Sequence, residues 1–148
     1  MLIRPAGKND IDRMCTLLGE LFAVEVDFSP DAGKQARGLV RLIDDASGST
    51  LVLVAETSDV IVGMATVQTL LSTAEGGSVG LVEDVVVGKE YRGRGIGTML
   101  LDEIVRWGIR RKLLRLQLLA DKDNQPALKF YCSQEWTSTN LMCMRKIV

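Results

Sequence analysis

The chain has 148 residues, of which 47% are hydrophobic and 25% are charged, and its formal net charge is -1. This length predicts a single domain over residues 1–148 with a sizeable core. The near-neutral charge gives no general attraction to nucleic acid or to an anionic membrane. Neither a signal peptide nor a run of about 18 apolar residues is apparent, so we expect a cytoplasmic protein.

Two features of the composition narrow the chemistry. The chain has no histidine, which excludes Ser-His-Asp and Cys-His catalysis. The three cysteines, Cys15, Cys132 and Cys143, lie far apart and form no CxxC pair, so neither a zinc site nor a disulfide framework is predicted. Acid–base chemistry must therefore come from carboxylates, tyrosine, lysine, cysteine or water, and we expect no metal.

The first half of the chain predicts a strand, two amphipathic helices and an antiparallel hairpin. Hydrophobic residues recur at helical spacing after the first strand, and the period changes to two after residue 50. In order, the predicted elements are strand Leu2–Arg4, helices at about 10–23 and 33–45, and strands Leu51–Glu56 and Val60–Leu71 joined at Ser58-Asp59.

The second half adds a strand, a helix, an apolar strand, a short helix and a final strand. The helix between the two strands of residues 79–120 predicts a parallel crossover. The whole order predicts an α/β fold in which a mixed central sheet is flanked by about four helices. The predicted elements are strand Val79–Val87, a helix at about 95–111, strand Leu114–Ala120, a short helix through Tyr131 and a last strand within Trp136–Val148.

The stretch from Gly80 to Gly97 carries the strongest functional pattern. A strand with two adjacent acids, Glu83 and Asp84, runs into the turn Arg92-Gly-Arg-Gly-Ile-Gly97 and then into a helix. Glycines let a ligand approach the backbone, and amide N–H groups at a helix start favour an anion. The spacing is neither GxGxxG nor GxxxxGK[ST]. The pattern therefore predicts a phosphate-bearing ligand beside the strand, in neither a dinucleotide fold nor a P-loop.

The same turn resembles the acyl-CoA-binding signature, Q/R-x-x-G-x-G/A, of the GNAT family of N-acetyltransferases. The preceding segment Glu83–Val87 looks like the central strand of that family, and Asn124–Tyr131 matches its N-x-x-A-x-x-F-Y helix. The resemblance implies an acyl-CoA N-acyltransferase fold. It also implies direct transfer of the acetyl group of acetyl-CoA, the co-substrate, to a primary amine.

The resemblance further implies a role for individual residues. The pantetheine arm would pair with the backbone of Val85 and Val87 and meet Asn124. Tyr131 would lie close to the thioester sulfur and act as general acid, and the Val85 amide would stabilise the oxyanion. The residues expected to hold the pyrophosphate are Arg92, Gly93, Arg94, Gly95, Ile96, Gly97 and Thr98.

Glu83 is the predicted base, acting through a water, with Asp84 or water alone as the alternatives. Adjacent side chains on a strand face opposite ways, so both acids can face one cleft only if a bulge intervenes, as it often does in this family. Asp84 is also expected to contact the acceptor, together with Glu25, Asp27 and Phe28 of the loop after the first helix. This acidic loop could attract a cation, and a solvated turn is the alternative.

The sequence departs from the family near its end. Glu135-Trp136 stands where the family usually has glycine and an aromatic residue, and because glycine tolerates a positive φ, a differently shaped exit from the last helix is expected. Only 12 residues follow Trp136, where members typically have two strands, so a partner chain is predicted to complete the sheet in a homodimer. The acceptor is expected to be a small-molecule amine; a protein or peptide N-acetyltransferase and a non-catalytic acyl-CoA-binding sensor are the alternatives.

Overall fold

The computed structural model describes residues 1–25 and 27–148 of the chain. These residues divide into two compact units, Met1–Gln117 and Leu118–Val148. The larger unit contains three α-helices and nearly all of the sheet, and the smaller unit contains one further helix.

The predicted order of elements is confirmed from the first strand to the last helix, with boundaries shifted by a few residues. The apolar strand predicted at Leu114–Ala120 is shorter than expected. The elements are β1 (Leu2–Pro5), α1 (Ile11–Phe22), α2 (Ala32–Ile43), β2 (Thr50–Thr57), β3 (Val60–Ser72), β4 (Gly77–Val87), α3 (Ile96–Arg110), β5 (Leu116–Leu118) and α4 (Gln125–Ser133), with 3₁₀ turns at Lys8–Asp10 and Lys89–Tyr91.

The sheet has five strands in the order β1-β2-β3-β4-β5, and its first four strands are antiparallel to their neighbours. The segment leading into β5 is instead parallel to β4. Leu114 N–H donates to Ser78 O at 2.9 Å and Gly80 N–H donates to Arg115 O at 2.8 Å, so both segments advance in the same direction. The sheet is therefore mixed, and the predicted parallel crossover is confirmed.

The predicted hairpin turn is also confirmed. Thr57 pairs with Val60, and the two residues between them, Ser58 and Asp59, have φ values of 47° and 61°. Two residues with positive φ give the turn whose twist matches that of the flanking strands. The register that this turn sets shifts by one residue between Ala55 and Glu56, and from Ala55 to Thr50 the two strands pair regularly.

The helices of the larger unit cover opposite faces of the sheet. Met64 of β3 belongs to the buried cluster formed with α1 and α2, which includes Met14 and Leu39. The neighbouring Gly63 faces α3, because a Cβ there would lie 3.4 Å from the side chains of both Ile96 and Leu100. The absence of that Cβ lets the first turn of α3 approach β3 closely, which brings the glycine turn to the end of β4.

In the smaller unit, α4 is capped at both ends. Asn124 Oδ1 accepts a hydrogen bond from Ala127 N–H at 3.2 Å, which satisfies an amide of the first turn. At the other end, Trp136 N–H donates to Tyr131 O and Glu135 N–H donates to Cys132 O, both at 3.1 Å. This is the Schellman pattern, and Glu135 occupies its left-handed position with φ of 63°. The expectation of a differently shaped exit is therefore wrong, because glutamate adopts the conformation usually given to glycine.

The final strand predicted within Trp136–Val148 is also wrong. In the described chain, residues 137–148 form neither strand nor helix. Leu141, Met142, Met144 and Ile147 are each at least 80% exposed. Alternating apolar residues make a strand favourable only where a neighbouring strand accepts their backbone hydrogen bonds, and no such neighbour is found among the described residues.

Across residues 1–25 and 27–148, no helix is long and apolar enough to cross a membrane.

Candidate active site

A β-bulge lies in β4 at its two adjacent acids. Met64 of β3 pairs with Val86 and Thr66 pairs with Glu83, so one residue of β3 lies opposite two of β4. Asp84 occupies the bulge with φ of 53°, a left-handed conformation that is costly for any residue other than glycine. Such strain in a non-glycine residue is typical of functional sites. The bulge supplies the condition under which both acids can face one cleft.

The contacts of the two carboxylates show that they do face the same side. Thr66 Oγ1 lies 3.3 Å from Asp84 Oδ2, and Gln68 Nε2 lies 3.4 Å from Glu83 Oε2. Thr66 and Gln68 are two positions apart on β3, so their side chains share one face of the sheet. That face is also the face of Met64, which α1 and α2 cover. Both acids are therefore directed to the α1 and α2 side.

The two acids have different surroundings. Glu83 is exposed, whereas Asp84 is half-buried. Burial, together with the negative charges of Glu83 and Glu25 and against the opposing effect of the Thr66 hydroxyl, raises the pKa of Asp84 from 3.8 to about 6. A carboxyl group with a pKa near 6 can exchange a proton close to neutral pH. Asp84 is thus suited to acid–base chemistry.

Of the residues predicted in the loop after α1, Glu25 contributes to the surroundings of the two acids. Glu25 is close enough for its charge to act on Asp84, as expected for a residue lining the same cleft. Asp27 and Phe28 are exposed. The ring of Phe28 lies 5.3 Å from that of Phe22 at the end of α1, which ties the loop to the helix.

The raised pKa of Asp84 predicts a stability that falls as pH rises. The folded protein binds this proton more tightly than the unfolded chain, so unfolding releases it between about pH 4 and pH 6. A rise from 3.8 to about 6 corresponds to about 3 kcal/mol. Relative to Asp84→Asn, the wild type should therefore lose up to about 3 kcal/mol of unfolding free energy between pH 4 and pH 7. Urea titrations at both pH values measure this difference. Asp102→Asn, on the exposed side of α3, is the control, and a pH-independent difference for Asp84→Asn would contradict the assignment.

The glycine turn after β4 is shaped to receive an anion. Gly93 and Gly95 have φ values of 72° and 76°, and an added Cβ would meet nothing within 4 Å at either position. Helix α3 begins at Ile96, whose side chain is buried, so its backbone is anchored while its amide faces outward with those of the first turn. Gly97 and Thr98 lie in that first turn. Open space beside uncapped amides at a helix start fits a pyrophosphate.

The arginines of the turn are bound to its backbone. Arg92 Nε donates to Val87 O at 3.0 Å, and Arg94 donates to Glu90 O at 3.0 Å while its guanidinium lies 5.3 Å from the centre of the Tyr91 ring. Both charged groups therefore stay close to the turn. The Arg92 contact also occupies a carbonyl that a pantetheine arm is expected to use.

The backbone of Val85 and Val87 is directed away from β3. Gly88 N–H donates to Val62 O at 2.8 Å, so the next pair along the ladder, Gly63 and Val87, turns its amide groups outward. Val85 lies two positions earlier and shares that direction. Because β5 is only three residues long, the carboxyl half of β4 extends beyond it. This geometry fits an extended ligand that pairs with β4.

Asn124 and Tyr131 belong to the smaller unit, on α4 and its cap. Tyr131 is half-buried, and its ring lies 5.3 Å from Phe130 and 6.3 Å from Trp136. The structure thus brings together Glu83, Asp84, Val85, Val87 and the turn within the larger unit. Asn124 and Tyr131 both lie in the smaller unit, at the N-cap of α4 and within α4.

Thr66 and Gln68 were missed in the sequence. Both contact the acids of β4, one through a hydroxyl and the other through an amide. The available signal was two polar residues at a spacing of two within the apolar run Val60–Leu71. That spacing puts both on one face of a strand, which is where a polar cleft requires them.

The model of the acetyltransferase (GNAT) family matches residues 13–134. The chain belongs to the GNAT family. It is an acetyl-CoA-dependent acetyltransferase, and the fold expected from the GNAT resemblance is confirmed. Among the described residues, no group of three or more metal-ligating side chains occurs.

Individual relatives agree with this membership. An uncharacterized N-acetyltransferase of Archaeoglobus fulgidus is 28% identical over 138 residues, which are 91% of this chain and 92% of the relative. Streptothricin acetyltransferase A of Bacillus subtilis is 34% identical over 56 residues, 38% of this chain and 32% of that protein. A predicted acetyltransferase with acetyl-CoA, from Clostridium acetobutylicum, has the same fold at a TM-score of 0.77 and 18% identity, covering 98% of this chain and 95% of its own.

Proposed function

We propose that this GNAT acetyltransferase transfers the acetyl group of acetyl-CoA directly to a primary amine of a small molecule. The observation that carries the proposal is the bulge of β4, which turns Glu83 and Asp84 to one face just before the strand enters the glycine turn. A strand that carries the donor backbone and the acids together brings the thioester next to a base.

The donor would be bound mainly by backbone groups. The outward amide groups of Val85 and Val87 would pair with the pantetheine arm as an added strand. The amides from Gly93 to Thr98 would receive the pyrophosphate, with the Arg92 and Arg94 charges nearby. Val87 O has two lone pairs and can accept from both Arg92 and pantetheine, which would keep the Arg92 guanidinium beside the phosphates. From the family resemblance, Asn124 is also proposed to contact the pantetheine.

In the proposed reaction the neutral amine attacks the acetyl carbonyl carbon, the C–S bond breaks, and the thiolate takes a proton from Tyr131. Glu83, which is exposed, accepts the amine proton through a water. Asp84 is the second candidate for this role, favoured by its pKa of about 6. The negative charge of Glu83 stabilises a proton on Asp84. The Val85 amide is the proposed oxyanion donor.

The proposed acceptor is a cationic small molecule. Glu25 and the two acids of β4 put negative charge on one side of the sheet, and Asp27 and Phe28 lie on the exposed loop that follows Glu25. Such a cleft attracts an ammonium group and selects the amine beside it. The partial match to streptothricin acetyltransferase A supports a small-molecule acceptor. A peptide amine and a non-catalytic acyl-CoA sensor are the competing functions.

Binding and turnover test the proposal separately. Calorimetric titration with acetyl-CoA and CoA should give saturable binding, and a panel of small amines assayed for free CoA should identify the acceptor. Tight CoA binding without thiol release from any amine would favour the sensor, and release only with peptides would favour the peptide acetyltransferase. If neither acetyl-CoA nor CoA binds, the proposed function is wrong.

Gly95→Ala is expected to weaken acetyl-CoA binding about tenfold or more. Its Cβ would project into the open space in which the pyrophosphate is proposed to lie, and a loss of about 1.4 kcal/mol of binding free energy is a factor of ten. Gly76→Ala is the matched control. Gly76 has φ of 68° and no atom within 4 Å of an added Cβ, but it lies in the loop between β3 and β4. Equal loss of affinity in both variants would show that strain, rather than the site, is responsible.

We also propose a cytoplasmic homodimer. The three cysteines are free thiols, which supports a reducing compartment. The exposed apolar side chains of Leu141, Met142 and Met144 support burial against a second copy. Light scattering of the full chain and of one shortened after Thr139 should give a dimer and a monomer, respectively. A monomeric full chain would contradict the dimer.

A further inference from the structure

We propose that Thr66 is a positioning residue for acetyl transfer, whose hydroxyl keeps the Asp84 carboxylate and the bulge of β4 in the arrangement that turns both acids to the acceptor side. The inference rests on the proposed function, because it concerns the same two acids. It adds a residue of β3 that touches neither the donor nor the acceptor and acts through Asp84.

The surroundings of Thr66 support this role. Thr66 is 1% exposed, and among the described residues it is the one buried polar residue of the core. Its Oγ1 lies 3.2 Å from Glu83 O and 3.3 Å from Asp84 Oδ2. A bulge disrupts the regular ladder of hydrogen bonds locally. The Thr66 hydroxyl therefore contacts both the backbone and the carboxylate at the bulge.

One hydroxyl proton cannot serve both acceptors fully at once. While Asp84 is ionised, its Oδ2 is the stronger acceptor and draws the Thr66 proton. Once Asp84 is protonated, its own O–H can donate to Thr66 Oγ1, and the Thr66 proton is free for Glu83 O. The hydrogen bond that supports the bulge carbonyl thus depends on the charge of Asp84.

The pKa of Asp84 is raised by its burial and by nearby negative charges, and it is lowered by Thr66. Burial and the negative charges of Glu83 and Glu25 raise the pKa of Asp84, and the Thr66 hydroxyl lowers it. On α1, which packs against β4, Arg13 donates to Ile61 O and Glu20 accepts from Lys89 N–H. Thr66 is therefore the neutral group that favours the ionised, proton-accepting form of Asp84.

Thr69 gives a comparison within the same strand. Its Oγ1 is buried and makes no hydrogen bond with the described residues. Thr66 and Thr69 are three positions apart, so their side chains lie on opposite faces of β3. Thr69 shares the strand and the residue type of Thr66 but has no acid to position.

The experiment compares Thr66→Val, Thr66→Ser and Thr69→Val with the wild type in two measurements. The first is the Asp84 carboxyl titration followed by NMR on the free enzyme. The second is the pH profile of kcat/KM with the best amine of the panel. Thr66→Val keeps the side-chain volume and removes the hydroxyl. Because hydrogen bonds to charged groups are among the stronger ones, we expect both titrations to move up by about one pH unit.

In Thr66→Ser and in Thr69→Val, the Asp84 titration and the pH profile of kcat/KM should both stay at their wild-type values. We also expect kcat to fall about fivefold at pH 6 in Thr66→Val, because the ionised fraction of Asp84 drops from about a half to about a tenth, with little change in the KM for acetyl-CoA. An Asp84 titration that is the same in wild type and Thr66→Val would overturn the role of Thr66, even in an inactive protein. A wild type that acetylates no amine would instead overturn the proposed function, while the NMR titration still decides the Thr66 contact. If Thr66→Val does not fold, Thr66→Ala takes its place in both measurements, and an Asp84 titration that is the same in wild type and Thr66→Ala would overturn the role of Thr66.

Discussion

Glu83→Gln is expected to lower kcat about a hundredfold or more, since general base catalysis is typically worth 10²- to 10⁴-fold. Gln keeps the shape of the side chain and its contact with Gln68 while removing proton uptake. The affinity for acetyl-CoA should change little, because the proposed donor contacts are made by backbone groups. Steady-state kinetics with calorimetry separate the two effects.

Asp84→Asn should have a different signature. It should also lower kcat, and it should remove the acid limb of the pH profile near pH 6, because that limb is attributed to the group with a pKa of about 6. Glu83→Gln should keep an acid limb. Glu75→Gln, in the loop between β3 and β4, is the surface control. Full activity in both Glu83→Gln and Asp84→Asn would leave water alone as the proton acceptor.

Tyr131→Phe is expected to lower kcat by about a hundredfold while the Kd of acetyl-CoA stays within about twofold. The phenol is the proposed proton donor to the leaving thiolate, and the aromatic ring that packs against Phe130 and Trp136 is retained in phenylalanine. Melting temperature checks that packing is preserved.

The other tyrosine provides the matched control. Tyr91→Phe removes a phenol next to the glycine turn and keeps the ring beneath the Arg94 guanidinium. It should change neither kcat nor acetyl-CoA affinity appreciably. Unchanged turnover in Tyr131→Phe would eliminate the general-acid assignment, and equal losses in both variants would indicate a general effect of losing a phenol.

Much of the fold could be predicted because its signals are local. Helical and strand periods, the Ser58-Asp59 turn and the glycine turn each depend on residues within one or two turns of chain. The conformation of Asp84 could not be read from the same signals. Its bulge follows from register, as Met64 and Thr66 of β3 pair with residues of β4 that are three apart rather than two.

The errors at the C-terminus have the same origin. Met142 and Met144 alternate as they would in a strand, but a strand requires a partner that the alternation does not identify. Glu135 shows the opposite case. Its side chain disfavours a left-handed backbone, yet the two hydrogen bonds from Glu135 and Trp136 back to α4 fix that conformation. The conformation of the C-terminal region is therefore determined by non-local strand pairing and by helix capping, and the preferences of the individual residues do not predict it.

The proposed role of Thr66 could not be predicted from the sequence for a related reason. A threonine in a run of β-branched residues is ordinary strand composition. Only the cross-strand register shows that its hydroxyl meets the carboxylate of Asp84 and the carbonyl of Glu83.

The close approach of α3 to Gly63 has a mechanical consequence. Gly63 and Thr66 are three residues apart on β3, a separation of roughly 10 Å along a strand. Gly63 seats the helix whose first turn is the proposed pyrophosphate site, and Thr66 contacts Asp84, which is proposed to face the amine. In the proposed site, the distance between the pyrophosphate and the acid that faces the amine is thus set along a single strand. It does not depend on the alignment of two independently packed parts.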